Sequence, residues 1–128
     1  ARDFDVAALT AVMIDSGKQN RYWGRSNHVT WSHLEDYKKY GYYPDNCGIY
    51  CAISQNVEYA VADFSIARMC RAVGDDANYK YFLNRSQSVF NLLHPTEKYL
   101  WARMKDGTWK KDFDPRTNAG CQEGTSTR

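Results

Sequence analysis

The chain has 128 residues, of which 43% are hydrophobic and 25% are charged, and its formal net charge is +2. This composition is typical of one modest globular domain and excludes a disordered chain, and no apolar run approaches the ~18 residues of a membrane-spanning helix. Acidic residues are interleaved with basic ones, so the charge does not indicate a nucleic-acid partner.

The N-terminal segment predicts a short helix over residues 5–15. Apolar side chains recur there at helical spacing, and Asp3 or Asp5 is placed to cap the first turn. The helix should end near Gly17.

The next segment predicts a loop and then a second short helix. No hydrophobic period survives over residues 17–30, whereas residues 31–40 again show helical spacing. Thr30 or Ser32 is the expected N-cap of this helix, and Gly41 is its expected end.

The middle of the chain predicts two longer helices, over residues 56–73 and 76–93. Gly74 favours a left-handed end to the first helix, and Asp75 or Asp76 can cap the second. A link this short forces the two helices to lie antiparallel as a hairpin.

The apolar faces of this hairpin predict further neighbours. The first helix is apolar on two faces, the outer one including Val57, Val61 and Phe64, and such a helix is normally covered on both sides. The second helix has one apolar face, formed by Tyr79, Phe82, Ser86, Val89, Phe90 and Leu93. Its remaining side chains are expected to face solvent, namely Lys80, Asn84, Arg85 and Gln87. The chain alone should therefore expose an apolar surface.

After Pro95 the hydrophobic pattern changes from a period near 3.6 residues to one closer to two, which predicts a small β-hairpin near the C-terminus. Tyr99, Trp101 and Arg103 are expected to be extended, and Asp106 and Gly107 are placed to turn the chain before Trp109. The last residues, 116–128, are polar and have no core pattern.

The cysteines and histidines do not predict a metal site. The spacing of Cys47, Cys51, Cys70 and Cys121 matches no paired zinc motif. Buried or free thiols are the favoured interpretation, and a disulfide joining Cys47 to Cys51 or to Cys121 is the alternative. The histidines are expected to be surface or capping residues, namely His28, His33 and His94.

Aromatic and acidic residues supply the first candidates for a sugar site. Four tryptophans and ten tyrosines could stack on sugar rings, and Trp23 in the loop is the best placed of them, since Trp101 and Trp109 fit core packing. Glu58 and Asp63 are five residues apart on one helix and therefore lie on different faces, which makes them a poor acid and base pair.

Motifs along the whole chain carry a family resemblance. They occupy residues 34–37, 41–44, 57–64 (VEYAVADF), 72–74, 79–82, 85–87, 106–109, 113–115 and 120–124. Together they resemble glycoside hydrolase family 92, the calcium-dependent exo-acting α-mannosidases. The resemblance implies a mainly α fold of helical hairpins from an (α/α)6 barrel. It also implies that residues 1–128 are a single partial domain, a fragment of the catalytic domain.

The resemblance further implies part of an inverting α-mannosidase, of the α-1,2 type, that acts on mannose-containing glycans. Glu123 matches the family's general acid, and Gly124 beside it would let the backbone approach a sugar closely. Trp23 and Gly124 are the expected substrate-binding residues, and Glu123 is the expected catalytic residue. The competing interpretation is a non-catalytic helical module that binds sugar or protein.

Other parts of the machinery are implied to lie outside the chain. The family's general base and calcium ligands fall beyond residue 128, so we expect no metal ligand in the chain and no activity from the chain alone. The expected partners are the glycan and the remainder of the catalytic domain, with no nucleic acid or membrane. The resemblance implies a secreted, periplasmic or cell-surface protein, although the chain shows no signal peptide.

Overall fold

The structure, a computed structural model, describes residues 3–20, 33–49 and 51–114. Over these ranges the chain is mainly helical, which confirms that part of the prediction. The α-helices are α1 (Val6–Lys18), α2 (Leu34–Tyr40), α3 (Ala52–Ala72) and α4 (Asp76–Arg85), and 3₁₀ helices span Asp45–Cys47 and Ser86–Leu92. None of the helices in these ranges combines the length and the apolar character that crossing a membrane requires.

The hairpin of α3 and α4 forms as predicted, and local residues set its turn. Gly74 has φ 79°, the left-handed conformation that glycine adopts at least cost. The Asp75 carboxylate caps α4 by accepting a hydrogen bond from the Asn78 backbone N–H at 3.0 Å. α3 begins at Ala52, earlier than the predicted residue 56.

The second arm of the hairpin departs from the prediction after Arg85. From Ser86 the backbone forms a 3₁₀ helix, which has about 3.0 residues per turn instead of about 3.6. The tighter turn rotates the following side chains away from the predicted apolar face. Leu92 is therefore buried, whereas Phe90 and Leu93 are 63% and 42% exposed.

The first two helices begin differently. Asp5 caps α1 as predicted, since its carboxylate accepts a hydrogen bond from the Ala8 N–H at 2.9 Å. α2 follows His33, which has φ 55° and makes no side-chain capping hydrogen bond. The prediction of Thr30 or Ser32 as the N-cap is therefore wrong, and both residues lie outside the described ranges. α2 ends at Gly41, as expected.

Two hydrophobic clusters form the core. The larger one packs α2 against α3 and α4 and contains Leu34, Tyr37, Tyr43, Ala52, Ile66, Ala67, Cys70 and Phe82. α1 approaches this cluster closely at Gly17, where an added Cβ would lie 2.7 Å from a Phe82 ring carbon and 2.9 Å from Ile66 Cδ1. The smaller cluster involves the C-terminal segment and contains Tyr42, Ile53, Leu92, Ala102 and Phe113.

The predicted β-hairpin near the C-terminus is not seen. As far as residue 114, this segment makes two isolated antiparallel bridges, Leu93 with Leu100 and Arg103 with Trp109. Some of its backbone groups bond within the segment, as the Met104 N–H does to the Thr108 oxygen at 2.8 Å, and others bond to other parts of the fold. The Trp101 N–H donates to the Leu92 oxygen at 2.8 Å, and the Arg103 oxygen accepts from the Asp45 N–H at 2.8 Å. Competition for these groups leaves no continuous ladder, although the turn residues are in place.

Candidate functional site

A buried ion pair joins the two long helices. Asp63 on α3 is 0% exposed, and Arg85 at the end of α4 is 8% exposed. The guanidinium donates to the carboxylate from Nε at 2.7 Å and from Nη2 at 2.5 Å, a bidentate arrangement. Nη2 also donates to the Gly17 carbonyl at 2.7 Å, which ties α1 to the pair. The expectation that Arg85 faces solvent is therefore wrong.

Tyr37 extends this network to α2. Its hydroxyl donates to Asp63 Oδ2 at 3.1 Å and lies 2.7 Å from Ser88 Oγ. Ser88 Oγ in turn accepts from Asn56 Nδ2 at 3.3 Å, and Asn56 Oδ1 accepts from the Tyr43 backbone N–H at 3.0 Å. The network therefore fixes α2, α3 and the 3₁₀ helix Ser86–Leu92 relative to one another.

The ionisation of the network follows from burial and pairing. Burial raises the pKa of Asp63, and the hydrogen bonds from Arg85 oppose that rise. Burial alone would lower the pKa of Arg85, but the Asp63 carboxylate reverses this, so the pKa of Arg85 is raised. Burial and then the Asp63 charge raise the pKa of Tyr37. We conclude that the pair is ionised and that Tyr37 keeps its proton. Asp63 has no access to solvent, so it cannot donate a proton to a substrate. The role of the network is to hold the helices together.

An open cleft of about 450 Å³ lies beside the network. Its walls carry three aromatic rings, three amides and two cationic side chains, namely Tyr37, Tyr81, Phe90, Asn84, Gln87, Asn91, Lys38 and Arg85. Convergent amides beside aromatic rings can hold a polar ligand such as a sugar. Two of the amides already make hydrogen bonds, because Asn91 Nδ2 donates to the Gly41 oxygen at 2.8 Å and Gln87 Nε2 donates to Ser86 Oγ at 3.2 Å.

The positions of Glu58, Asp63, Trp101 and Trp109 match what their sequence positions predicted. Glu58 is exposed and Asp63 is buried, so the two do not form an acid and base pair. Trp101 packs on Phe113 with ring centroids 5.0 Å apart, and Trp109 packs on His94 at 4.7 Å. These contacts favour packing over sugar stacking for both tryptophans.

The cysteines divide into two kinds. Cys47 and Cys70 are free thiols, which confirms the favoured interpretation for these two and excludes a disulfide from Cys47. Cys51 is disulfide-bonded, so that interpretation is wrong for Cys51. Burial raises the pKa of the Cys47 thiol and of the Cys70 thiol.

One group of potential metal ligands occurs among the residues that the structure describes. His33, Asp36 and Cys47 bring one ligand atom each to within 4.8 Å of one another. Sequence spacing missed this group because His33 and Asp36 meet through one helical turn and Cys47 meets them only through the fold. The local signal was the separation of three residues between His33 and Asp36, which is one turn of α2.

The residues that the resemblance assigned to catalysis and substrate binding are Glu123, Gly124 and Trp23, and all three lie outside the described ranges.

Comparison with known proteins connects the helical region to one enzyme family. The chain matches the model described as the glycosyl hydrolase family 92 catalytic domain over residues 1–128. It resembles the family GH92 alpha-mannosidase BT3965 from Bacteroides thetaiotaomicron at 29% identity and a TM-score of 0.81, over 96% of this chain and 15% of that one. The complex of BT3965 with mannoimidazole aligns at 30% identity and 0.76, over 89% and 14%.

A second solved mannosidase shares the fold. The family GH92 inverting mannosidase BT2199 from Bacteroides thetaiotaomicron VPI-5482 aligns at 24% identity and a TM-score of 0.77, over 89% of this chain and 15% of that chain. The chain thus spans about 15% of the length of these enzymes. No curated protein sequence matches the chain significantly.

Proposed function

The chain belongs to glycosyl hydrolase family 92, and from this premise we propose that it is part of the catalytic domain of an inverting α-mannosidase acting on mannose-containing glycans. The observation that carries the proposal is the family match over residues 1–128. The likeness to the alpha-mannosidase BT3965, which was solved with mannoimidazole, supports it at a TM-score of 0.76.

In this proposal Glu123 is the general acid that protonates the departing glycosidic oxygen. A glutamate does this near neutral pH only where its surroundings raise its pKa above the ordinary value of ~4.3. Gly124 leaves room for the sugar beside the acid, and Trp23 stacks on an apolar sugar face. Inversion also needs a base about 6.5–9.5 Å from the acid, and this base comes from outside the chain.

The test of this role is a Glu123→Gln variant of the complete enzyme, in which this chain is joined to the remainder of the catalytic domain. Its turnover should fall by about 10²–10⁴-fold for mannosides with poor leaving groups and much less for those with good ones, because good leaving groups need no proton. Glu97→Gln, at an exposed turn residue, is the matched control and should leave turnover unchanged. Equal losses for both kinds of leaving group would contradict the role of Glu123 as the general acid and would leave it as a structural or binding carboxylate.

The proposal includes calcium in the complete enzyme, held by residues outside this chain. Calcium takes six to eight oxygen ligands. The one potential metal group in the described part of the chain offers an imidazole, a thiol and a single carboxylate, which do not fit calcium. A chelator that removes calcium should therefore stop turnover by the complete enzyme. The same chelator should leave the circular dichroism of the 128-residue chain unchanged.

An exposed apolar groove supports the proposal that further helices complete an (α/α)6 barrel. We define the groove by Val57, Ala60, Val61, Phe64 and Val89, which line a depression of about 340 Å³ beside α3. Val61 and Phe64 are 60% and 46% exposed. A helix that leaves such a stripe uncovered requires a neighbour, and the remainder of the catalytic domain supplies it in this proposal.

The linkage and the compartment are part of the same proposal. We assign α-1,2-linked mannose as the substrate, and the measurement is relative turnover of α-1,2-, α-1,3- and α-1,6-linked mannobiose. The disulfide at Cys51 supports a secreted, periplasmic or cell-surface protein, since disulfides persist in oxidising compartments. Recovery of the native protein from the cytoplasm with Cys51 reduced would contradict this location.

A further inference from the structure

The group of ligand atoms near the start of α2 is independent of the proposed glycosidase chemistry. His33 precedes α2, Asp36 lies in its first turn, and Cys47 ends the 3₁₀ helix Asp45–Cys47. His33 Nδ1 is 3.6 Å from Asp36 Oδ2. A ligand atom from each of the three residues lies within 4.8 Å of those from the other two.

We propose that His33, Asp36 and Cys47 bind one zinc ion through an imidazole nitrogen, a carboxylate oxygen and the thiolate sulfur. Zinc binds these three donors at about 2.0–2.3 Å in a tetrahedron, which places the ligand atoms roughly 3.3–3.8 Å apart. The separation of 3.6 Å between His33 and Asp36 already has this size. The longest separation needs to shorten by about 1 Å. A water molecule completes the tetrahedron.

The charge of the group suits a divalent cation. The Asp36 carboxylate and the Cys47 thiolate together neutralise two positive charges, and neutral His33 adds a donor without charge. On binding, the Cys47 sulfur gives its proton to solvent and its electron pair to the metal. The softness of the thiolate selects zinc over calcium or magnesium.

The position of the group allows the small closure that binding needs. The His33 side chain is 37% exposed and the Asp36 side chain 26% exposed, so metal can enter from solvent and the ring can turn. Lys105 Nζ lies 3.8 Å from Asp36 Oδ1 and is the cation that zinc would displace. The Lys105 backbone N–H donates to Asn46 Oδ1 at 2.9 Å, which keeps this segment beside the site.

Cobalt(II) titration of the protein tests the site, because a cobalt–thiolate bond produces a charge-transfer absorption that oxygen and nitrogen ligands do not. The wild-type protein should gain this absorption at one cobalt per chain, and excess zinc should remove it. Cys47→Ser should abolish it. The matched control Cys70→Ser, which removes the other free thiol among the described residues, should retain it.

Two further variants separate binding from folding. His33→Ala should weaken cobalt binding by at least the roughly 10–100-fold that loss of an outer partner costs a metal site. Lys105→Gln should tighten it a few-fold, since a competing cation is removed. Circular dichroism of each variant should match the wild type.

A second measurement needs no substitution. Zinc should slow alkylation of the Cys47 thiol, located by peptide mass spectrometry, and leave the alkylation of Cys70 unchanged. An absent charge-transfer band in the wild type, a band that persists in Cys47→Ser, or alkylation of Cys47 that zinc does not slow would each overturn the proposal.

Discussion

Arg85 donates hydrogen bonds from two nitrogens to the Asp63 carboxylate, at 2.7 and 2.5 Å, although the two residues are 22 positions apart in the sequence. Removing two charges from water is costly, and only full pairing offsets that cost. Here Tyr37 supplies a further hydrogen bond to the carboxylate at 3.1 Å. Across the described residues no buried side-chain nitrogen or oxygen lacks a partner. Removal of one side chain of this pair should therefore lower the stability of the fold more than removal of other polar side chains.

Arg85→Leu should destabilise the fold by about 3–5 kcal/mol, because it leaves the Asp63 carboxylate charged and unpaired in the interior. The measurement is the free energy of unfolding from denaturant titration. The exposed pair of Lys38 and Glu35, at 3.0 Å, provides the control. Glu35→Gln should cost less than about 1 kcal/mol, as surface pairs do.

A double variant, Asp63→Leu with Arg85→Leu, should recover much of that loss, because no buried charge then remains unpaired. If the double variant is as unstable as the sum of the two single ones, then coupling between the two charges does not explain the effect.

The Tyr37 hydroxyl should contribute more to the free energy of unfolding than a hydroxyl on the surface does. Tyr37→Phe removes the hydrogen bonds to Asp63 and Ser88 and keeps the ring stacked on Tyr43, whose centroid is 4.8 Å away. The expected cost is about 1–3 kcal/mol in the free energy of unfolding, since buried partners lose a hydrogen bond. Tyr99→Phe is the matched control and should cost less, because Tyr99 is 51% exposed. Equal losses would contradict a special role for Tyr37.

Local signals predicted the helices well and their tertiary contacts poorly. Gly74 and Asp75 fix the turn of the hairpin through their own backbone and capping preferences, so the sequence reveals them. The switch to a 3₁₀ helix after Arg85 coincides with the long-range ion pair, which no hydrophobic period encodes. The sequence did contain a signal that Asp63 is buried, because Asp63 falls at helical spacing between the buried residues Ala60 and Ala67.

Gly17 marks a close approach of α1 to the core that spacing could not reveal. Gly17→Ala should destabilise by about 1–3 kcal/mol through overpacking, since the new Cβ would lie 2.7 Å from the Phe82 ring. This outweighs the gain of about 0.5–1 kcal/mol that alanine brings to a helix interior. Unfolding titration of Gly17→Ala in a Phe82→Leu background provides the control, because the ring carbons are then absent. A smaller cost in that background is expected, because only the 2.9 Å approach to Ile66 Cδ1 then remains, and an unchanged cost would contradict overpacking against the Phe82 ring.

The candidate site was less predictable than the fold because its parts converge from distant segments. Glu123, Gly124 and Trp23 rest on the family resemblance and lie outside the described residues, so they remain predictions. His33 and Asp36 are one turn apart, but Cys47 joins them only because the chain turns after Gly41. Cysteine spacing alone gave no indication of that convergence.

The apolar groove should make the isolated chain associate or bind a hydrophobic dye, because nothing in the described ranges covers Val61 and Phe64. Dye fluorescence and sedimentation are the measurements. Val61→Lys combined with Phe64→Glu should reduce both signals. Val12→Lys, at a valine on α1 that is 66% exposed, is the control for general loss of apolar surface. A dye-silent monomer would indicate a complete small domain instead.

The 128 residues alone should not release mannose from an α-mannoside, with or without calcium. Loss of a general acid costs about 10²–10⁴-fold, but loss of the base leaves no positioned water to attack the sugar. The second effect dominates, because Glu123 is the only member of the catalytic pair that the family resemblance places in the chain. The measurement compares mannose release by the purified chain and by a protein extended through the rest of the family domain, at equal concentration. Circular dichroism dominated by helix confirms that the short chain is folded. Release of mannose by the short chain that Glu123→Gln abolishes would contradict the prediction and would place a complete acid and base pair within these residues.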